Sequence, residues 1–113
     1  MKVIQRKYGD VTVVDLKGKI TIGRGDVVLR ETVQQLFDEG SRQVLLNLAG
    51  VSYMDSAGIG ELVACHKRAV EKSGRLKLLN PTGKVYDLLQ LTKLDEVFET
   101  FTDEKTALVS FGA

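Results

Sequence analysis

The chain has 113 residues, with 16 basic against 15 acidic side chains, one cysteine and one histidine. Near-zero net charge argues against a general electrostatic grip on nucleic acid. The lone Cys65 excludes an internal disulfide, and His66 as the one histidine leaves no zinc cage, so neither metal nor cofactor is expected. No apolar run approaches the ~20 residues that span a bilayer, and the first seven residues carry no signal-peptide apolar core. A cytoplasmic protein without membrane association is therefore expected, folded as one domain over residues 1–113.

Residues 3–8 read as a strand, Gly9-Asp10 as a turn and 11–16 as a second strand, together a hairpin. Residues 18–25 are glycine-rich and read as a loop with room for a brief strand at 20–22. Asp26 is placed to cap a helix. Behind it Leu29, Val33, Leu36 and Phe37 fall at i, i+4, i+7 and i+8, one helical face, and Gly40 ends the helix. The compact run Val44-Leu45-Leu46-Asn47-Leu48 reads as a buried central strand.

Residues 49–55 read as a loop. Ile59, Leu62, Val63, His66, Ala69 and Val70 then recur at helical spacing until Ser73-Gly74 stops the helix. Leu76-Lys77-Leu78-Leu79 is the next strand. Asn80-Pro81-Thr82-Gly83 breaks the chain before a short helix marked by Val85, Leu88 and Leu89. Residues 97–101 read as the last strand. Thr102, followed by Asp103 and Glu104, opens a final helix with Leu108 and Phe111 on its apolar side. The order ββ-α-β-α-β-α-β-α implies an α/β fold: a small, mixed, largely parallel sheet with helices packed on it. Sites in such sheets gather beyond the carboxyl ends of strands.

That rule directs attention to Val51-Ser52-Tyr53-Met54-Asp55-Ser56-Ala57-Gly58-Ile59-Gly60, which joins the central strand to the most strongly patterned helix. Ser56 sits at or just before the first turn, where unpaired N–H groups and the positive end of the dipole favour an anion. A phosphate on Ser56 would meet those donors and stand beside the opposing charge of Asp55. Ala57, Gly60 and Ala64 lie at i, i+3 and i+7, away from the apolar stripe, where small residues let a partner approach. Glu61, Lys67, Arg68 and Glu71 add charges that set register. The competing reading makes Ser56 a plain N-cap and the small residues a solvated face.

Asp55-Ser56-Ala57-Gly58-Ile59-Gly60 resembles the D-S-[ST]-G-[LI]-G signature of anti-sigma factor antagonists, in the STAS domain family. The resemblance extends over nearly the whole chain, including the strand before the motif and Gly74-Arg75-Leu76-Lys77-Leu78 after the long helix. It implies a non-enzymatic partner switch. The unphosphorylated form binds an anti-sigma factor that is also a GHKL-type serine kinase, and this frees the sigma factor. The kinase phosphorylates the serine that maps onto Ser56, and a PP2C-type phosphatase restores the active form. The implied partner surface comprises Asp55, Ser56, Ala57, Gly58, Gly60, Glu61, Ala64 and Arg68. Two departures stand out. Ala57 replaces the usual Ser or Thr, and Gly18-Lys19-Ile20-Thr21 lacks the acidic residue of the family's Gly-x-Leu-Asp. The alternative is a STAS scaffold or partner switch that regulates a non-sigma effector.

An enzyme reading fails on residue types. Met54-Asp55-Ser56-Ala57-Gly58 half matches a nucleophile elbow, but Met54 replaces its first glycine. His66 lies ten residues further along the helix, about 15 Å away by helical rise, too far to activate Ser56. His66 reads as a packed core histidine, Cys65 as an inert thiol, and Arg75, Lys77 and Lys84 as solvated basics. Neither glycine-rich stretch completes a P-loop. The Arg24-Gly25-Asp26 adhesion tripeptide reads as chance.

Overall fold

Alternating strands and helices follow one another through the computed structural model, which describes residues 1–112; residue 113 of the expected domain span lies outside the described residues. β1 (Lys2–Tyr8) and β2 (Val11–Ile20) form the expected antiparallel hairpin, with Gly9 at its turn in the left-handed region (φ +58°). β3 (Gln43–Met54), β4 (Arg75–Leu79) and β5 (Thr100–Phe101) add in parallel, giving the sheet order β1-β2-β3-β4-β5. The connections are α1 (Gly25–Asp38), α2 (Ser56–Glu71), α3 (Gly83–Leu91) with a 3₁₀ turn at Leu94–Glu96, and α4 (Glu104–Ser110) after β5. The fold is the mixed, largely parallel α/β sheet expected. Among the described residues, no helix is long and apolar enough to cross a membrane.

Strand side chains alternate between two faces. Val14, Leu46 and Leu78 are cross-strand neighbours. They pack with Leu29, Val33 and Phe37 of α1, Leu62, Cys65 and Ala69 of α2, and Val85 and Leu89 of α3. Val13 and Leu45, on the opposite face, meet Ala107 of α4 and Phe111 just beyond its end. The apolar face expected for α1 is thus buried as spaced. Each fully buried leucine or valine contributes about 1.5–3 kcal/mol, so the three-helix side carries most of the core.

The structure corrects several expectations. β2 runs on to Ile20 and β3 to Met54, so residues 18–20 and 49–54 are strand, not loop. Register shifts between Asp15 and Lys17 and between Gly18 and Lys19 absorb the irregularity. β5 keeps only Thr100 and Phe101; Val97 lies outside it, and Phe98 drops into the core after the 3₁₀ turn. Asp26 is the second residue of α1 and accepts from its neighbour Val27 N–H (2.8 Å), not a cap. Asp103, not Thr102, caps α4, accepting from Thr106 N–H (2.9 Å). Val63 and Val70 are exposed on α2.

Lys77 is not a solvated basic either. It is buried beside Leu45 on the α4 face. Its Nζ donates to the Ser110 carbonyl (2.9 Å) and hydroxyl (3.0 Å), pairs with Glu99 (3.3 Å) and lies 4.6 Å from the centre of the Phe111 ring. All three ammonium donors are used, which is the condition for burying a charge.

Candidate functional site at the start of helix α2

β2 and β3 end level with each other, because their register pairs Ile20 with Met54. The segment 21–24 and the start of α2 therefore leave the sheet side by side, at the carboxyl ends of two parallel strands. Both following helices begin pressed against the end of β2. A Cβ on Gly58 would stand 2.1 Å from Ile20 O and 2.7 Å from Met54 Cγ, and one on Gly25 would stand 2.2 Å from Lys19 O. Only glycine allows these approaches.

Asp55 is the N-cap of α2. Gly58 N–H donates to its Oδ1 (2.9 Å), and Ile22 N–H donates to its Oδ2 (3.0 Å). One carboxylate thus closes the first turn and ties the neighbouring loop to it. The same amides, Ile22 first and Gly58 second, hold the Asp55 carboxyl below the usual carboxylate range. Ser56 is the first helical residue and is exposed, and its hydroxyl is not spent on the cap. Beside it runs a groove of about 410 Å³ lined by Tyr53, Met54, Asp55, Ser56, Ile59, Leu88 and Thr92.

The face of α2 is rotated from the one expected. Gly58, Glu61, Leu62, Cys65 and Ala69 are buried. Ser56, Gly60, Val63, Lys67, Val70 and Glu71 are exposed, with Ala57, Ala64 and Arg68 half-buried on one flank. Glu61, expected on the open side, is 8% exposed and points inward. It pairs with Arg30 of α1 (3.3 Å) and with Arg68 (3.4 Å). That bridge to α1 turns the helix, a partner that spacing within α2 does not reveal. Gly58 is likewise a packing residue. Of the eight residues expected at the surface, Ser56 and Gly60 are fully open.

The structure also brings up residues that the sequence reading left without a role. Ile22, Tyr53 and Val63 are exposed apolar side chains on the segments that meet here. The signal for Val63 was present, as it lies at i+7 from Ser56 and i+3 from Gly60; treating every apolar helix residue as core concealed it. His66 is half-buried with its ring edge-on to Phe98 at 5.1 Å, and its Nδ1 is buried without a hydrogen-bond partner among the described residues. Burial pushes the Cys65 thiol up to about 12, which fits an inert thiol.

Comparison with known proteins places these features in context. The sequence profile of the STAS domain matches residues 2–107. The anti-sigma-B factor antagonist of Bacillus subtilis (strain 168) is 33% identical over 86 residues, 76% of this chain and 77% of that protein. An anti-sigma factor antagonist from Mycobacterium paratuberculosis superposes with a TM-score of 0.86 at 17% identity, covering 99% of this chain and 94% of that one. SpoIIAA, a Bacillus cell fate determinant solved in its phosphorylated form, superposes with a TM-score of 0.75 at 20% identity, covering 96% and 98%. At these identities the two structures are likenesses of fold.

Proposed function

The chain belongs to the STAS domain family, and from that premise we propose that it is an anti-sigma factor antagonist switched at Ser56. In this reading the unphosphorylated form binds an anti-sigma factor that is a GHKL-type serine kinase, and so releases a sigma factor. The kinase phosphorylates Ser56 and the complex loosens; a PP2C-type phosphatase resets it. The Bacillus subtilis relative supports the antagonist role in this reading, since it is an anti-sigma-B factor antagonist.

The observation that carries the switch is the division of labour at the start of α2. Asp55 does the capping, so Ser56 is left as an exposed hydroxyl at the first helical position. A phosphate there gains first-turn N–H donors and the helix dipole. It also adds about two negative charges beside Asp55. The free protein accommodates it locally, whereas a partner surface packed on a hydroxyl must desolvate it. The docking face then follows the open column Ser56, Gly60, Val63 and Lys67, with Ala57, Ala64 and Arg68 at its edge. Gly58, Glu61 and Asp55 act by holding that column in place.

A second reading, a partner switch acting on a non-sigma effector, draws on the loop 21–24, where Thr21 stands in place of the family's acidic residue. Phosphopeptide mapping after incubation with the host's GHKL-type anti-sigma kinase and ATP tests the first reading. Phosphate on Ser56 is expected. Phosphate on Ser52 or Thr82 with Ser56 unmodified would overturn it.

A further inference from the structure

β1 forms one edge of the sheet. Along its outer side every second residue turns its N–H and C=O away from β2, an open template for another strand. Val3 and Arg6 are half-buried and the rest of the strand is exposed. Bulges and very short strands blunt such an edge, and β1 has neither, since its register against β2 runs without a shift from Lys2 to Tyr8. The opposite edge, β5, holds only Thr100 and Phe101. The cations of β1 do not close its edge; they select a register. Residues opposite each other in an antiparallel pair share a face, so two copies of β1 related by a twofold axis must centre on one residue. Centring on Gln5, the midpoint of Lys2–Tyr8, pairs the whole strand. Lys2 then faces Tyr8 of the second copy, Val3 faces Lys7 and Ile4 faces Arg6, so no cation opposes a cation. Centring on Ile4 sets Lys2 against Arg6, and centring on Arg6 sets that arginine against itself, a destabilising opposition; both leave strand ends unpaired.

We infer that β1 is a self-complementary docking edge: a second copy of this chain adds its β1 antiparallel about a twofold axis at Gln5, joining two sheets into one. The side chains are already arranged for it. Ile4 (56% exposed) and Tyr8 (45%) share a face with Arg6, which reaches Glu104 of α4. Arg6 spends its guanidinium on Asp15 and Glu104, so the aliphatic stem is what Ile4 of the second copy meets. The Tyr8 hydroxyl accepts from Arg6 Nη1 (3.0 Å), which holds the ring in place for the ammonium of Lys2. On the other face a hollow of about 320 Å³, lined among others by Gln5, Lys7, Leu36 and Glu39, borders the strand where Val3 of the second copy falls. The pairing is independent of the Ser56 reading.

Two measurements decide it. Sedimentation velocity of the parent from about 10 µM to about 1 mM should show a monomer passing into a dimer and no further, because a twofold pairing closes. Gln5→Glu sets like charges directly opposite at the axis and should raise the dissociation constant at least about tenfold, with the melting temperature near that of the parent. A parent that stays monomeric throughout, growth past the dimer, or a Gln5→Glu protein that associates like the parent overturns the docking edge. The second measurement reads the register. Gln5→Cys sets two thiols opposite each other with Cα atoms about 5 Å apart, within disulfide reach. Lys7→Cys sets them four residues out of register, about 13 Å apart. Under a mild oxidant Gln5→Cys should cross-link at least about tenfold faster than Lys7→Cys, and the native Cys65 is buried and takes no part. Equal cross-linking rates overturn the pairing at Gln5.

Discussion

Gly58 and Gly60 lie two residues apart on α2, and replacing each by alanine should move stability in opposite directions. A methyl on Gly58 would sit 2.1 Å from a backbone oxygen of β2 and 2.7 Å from Met54 Cγ. The methionine can yield, but Ile20 O belongs to the sheet, so the first turn of α2 must lift. Overpacking of this kind costs about 1–3 kcal/mol, occasionally more. The backbone clash puts it at the upper end, about 3 kcal/mol. Alanine returns up to about 1 kcal/mol of helix propensity, leaving Gly58→Ala about 2 kcal/mol less stable. A methyl on Gly60 meets nothing within 4 Å, so Gly60→Ala should gain up to about 1 kcal/mol. With a urea slope of about 2 kcal/mol/M, the midpoint should fall by about 1 M for Gly58→Ala and rise by up to about 0.5 M for Gly60→Ala. Circular dichroism during urea titration reads both. A Gly58→Ala protein as stable as the parent would refute the close approach of α2 to β2.

Stability should decline in acid. Asp15, beside the Arg6 guanidinium, Asp55, bound by Ile22 and Gly58 N–H, and Asp103, bound by Thr106, are all held below the usual carboxylate range. Unfolded, they titrate near 3.9, so around and below that pH the unfolded chain binds more protons and stability rises with pH. The contribution is present above about pH 5 and drains as pH falls through the folded values; urea midpoints between pH 6 and pH 3 should show this, with a shallower slope in Asp15→Asn. Glu61→Ala leaves Arg68 half-buried without its carboxylate and should cost about 2 kcal/mol, read as a lowered melting temperature that Glu61→Gln only partly restores. Cys65 should resist a colorimetric thiol reagent at pH 8 in the native protein and react promptly in 6 M guanidinium; fast native labelling would contradict its burial.

The element order and the site were legible because both rest on local signals. Strict spacing at Leu29, Val33, Leu36 and Phe37 has one helical reading, and all four are buried. Asp55-Ser56, between a buried strand and a patterned helix, lies at the carboxyl end of β3 as its sequence context implies. What was not legible depends on partners distant in sequence. Gly18 and Gly50 resemble loop residues, but one sits in a strand irregularity and the other packs where its Cβ would be 2.9 Å from Leu16 O. Glu61 reads as surface until Arg30, 31 residues away, neutralises it. Lys77 reads as surface until α4 supplies its carbonyl and aromatic ring. The hydrogen bond that brings Ile22 to Asp55 spans 33 residues and depends on β2 and β3 ending level.

The central claim is that a phosphate on Ser56 abolishes a contact made around its hydroxyl. Titration calorimetry of the unphosphorylated and the Ser56-phosphorylated protein against the same purified anti-sigma kinase tests it most directly. A penalty of about 3 kcal/mol or more for desolvating the phosphate corresponds to more than a hundredfold. The unphosphorylated form should bind at least that much more tightly, and equal affinity of the two forms would contradict the account.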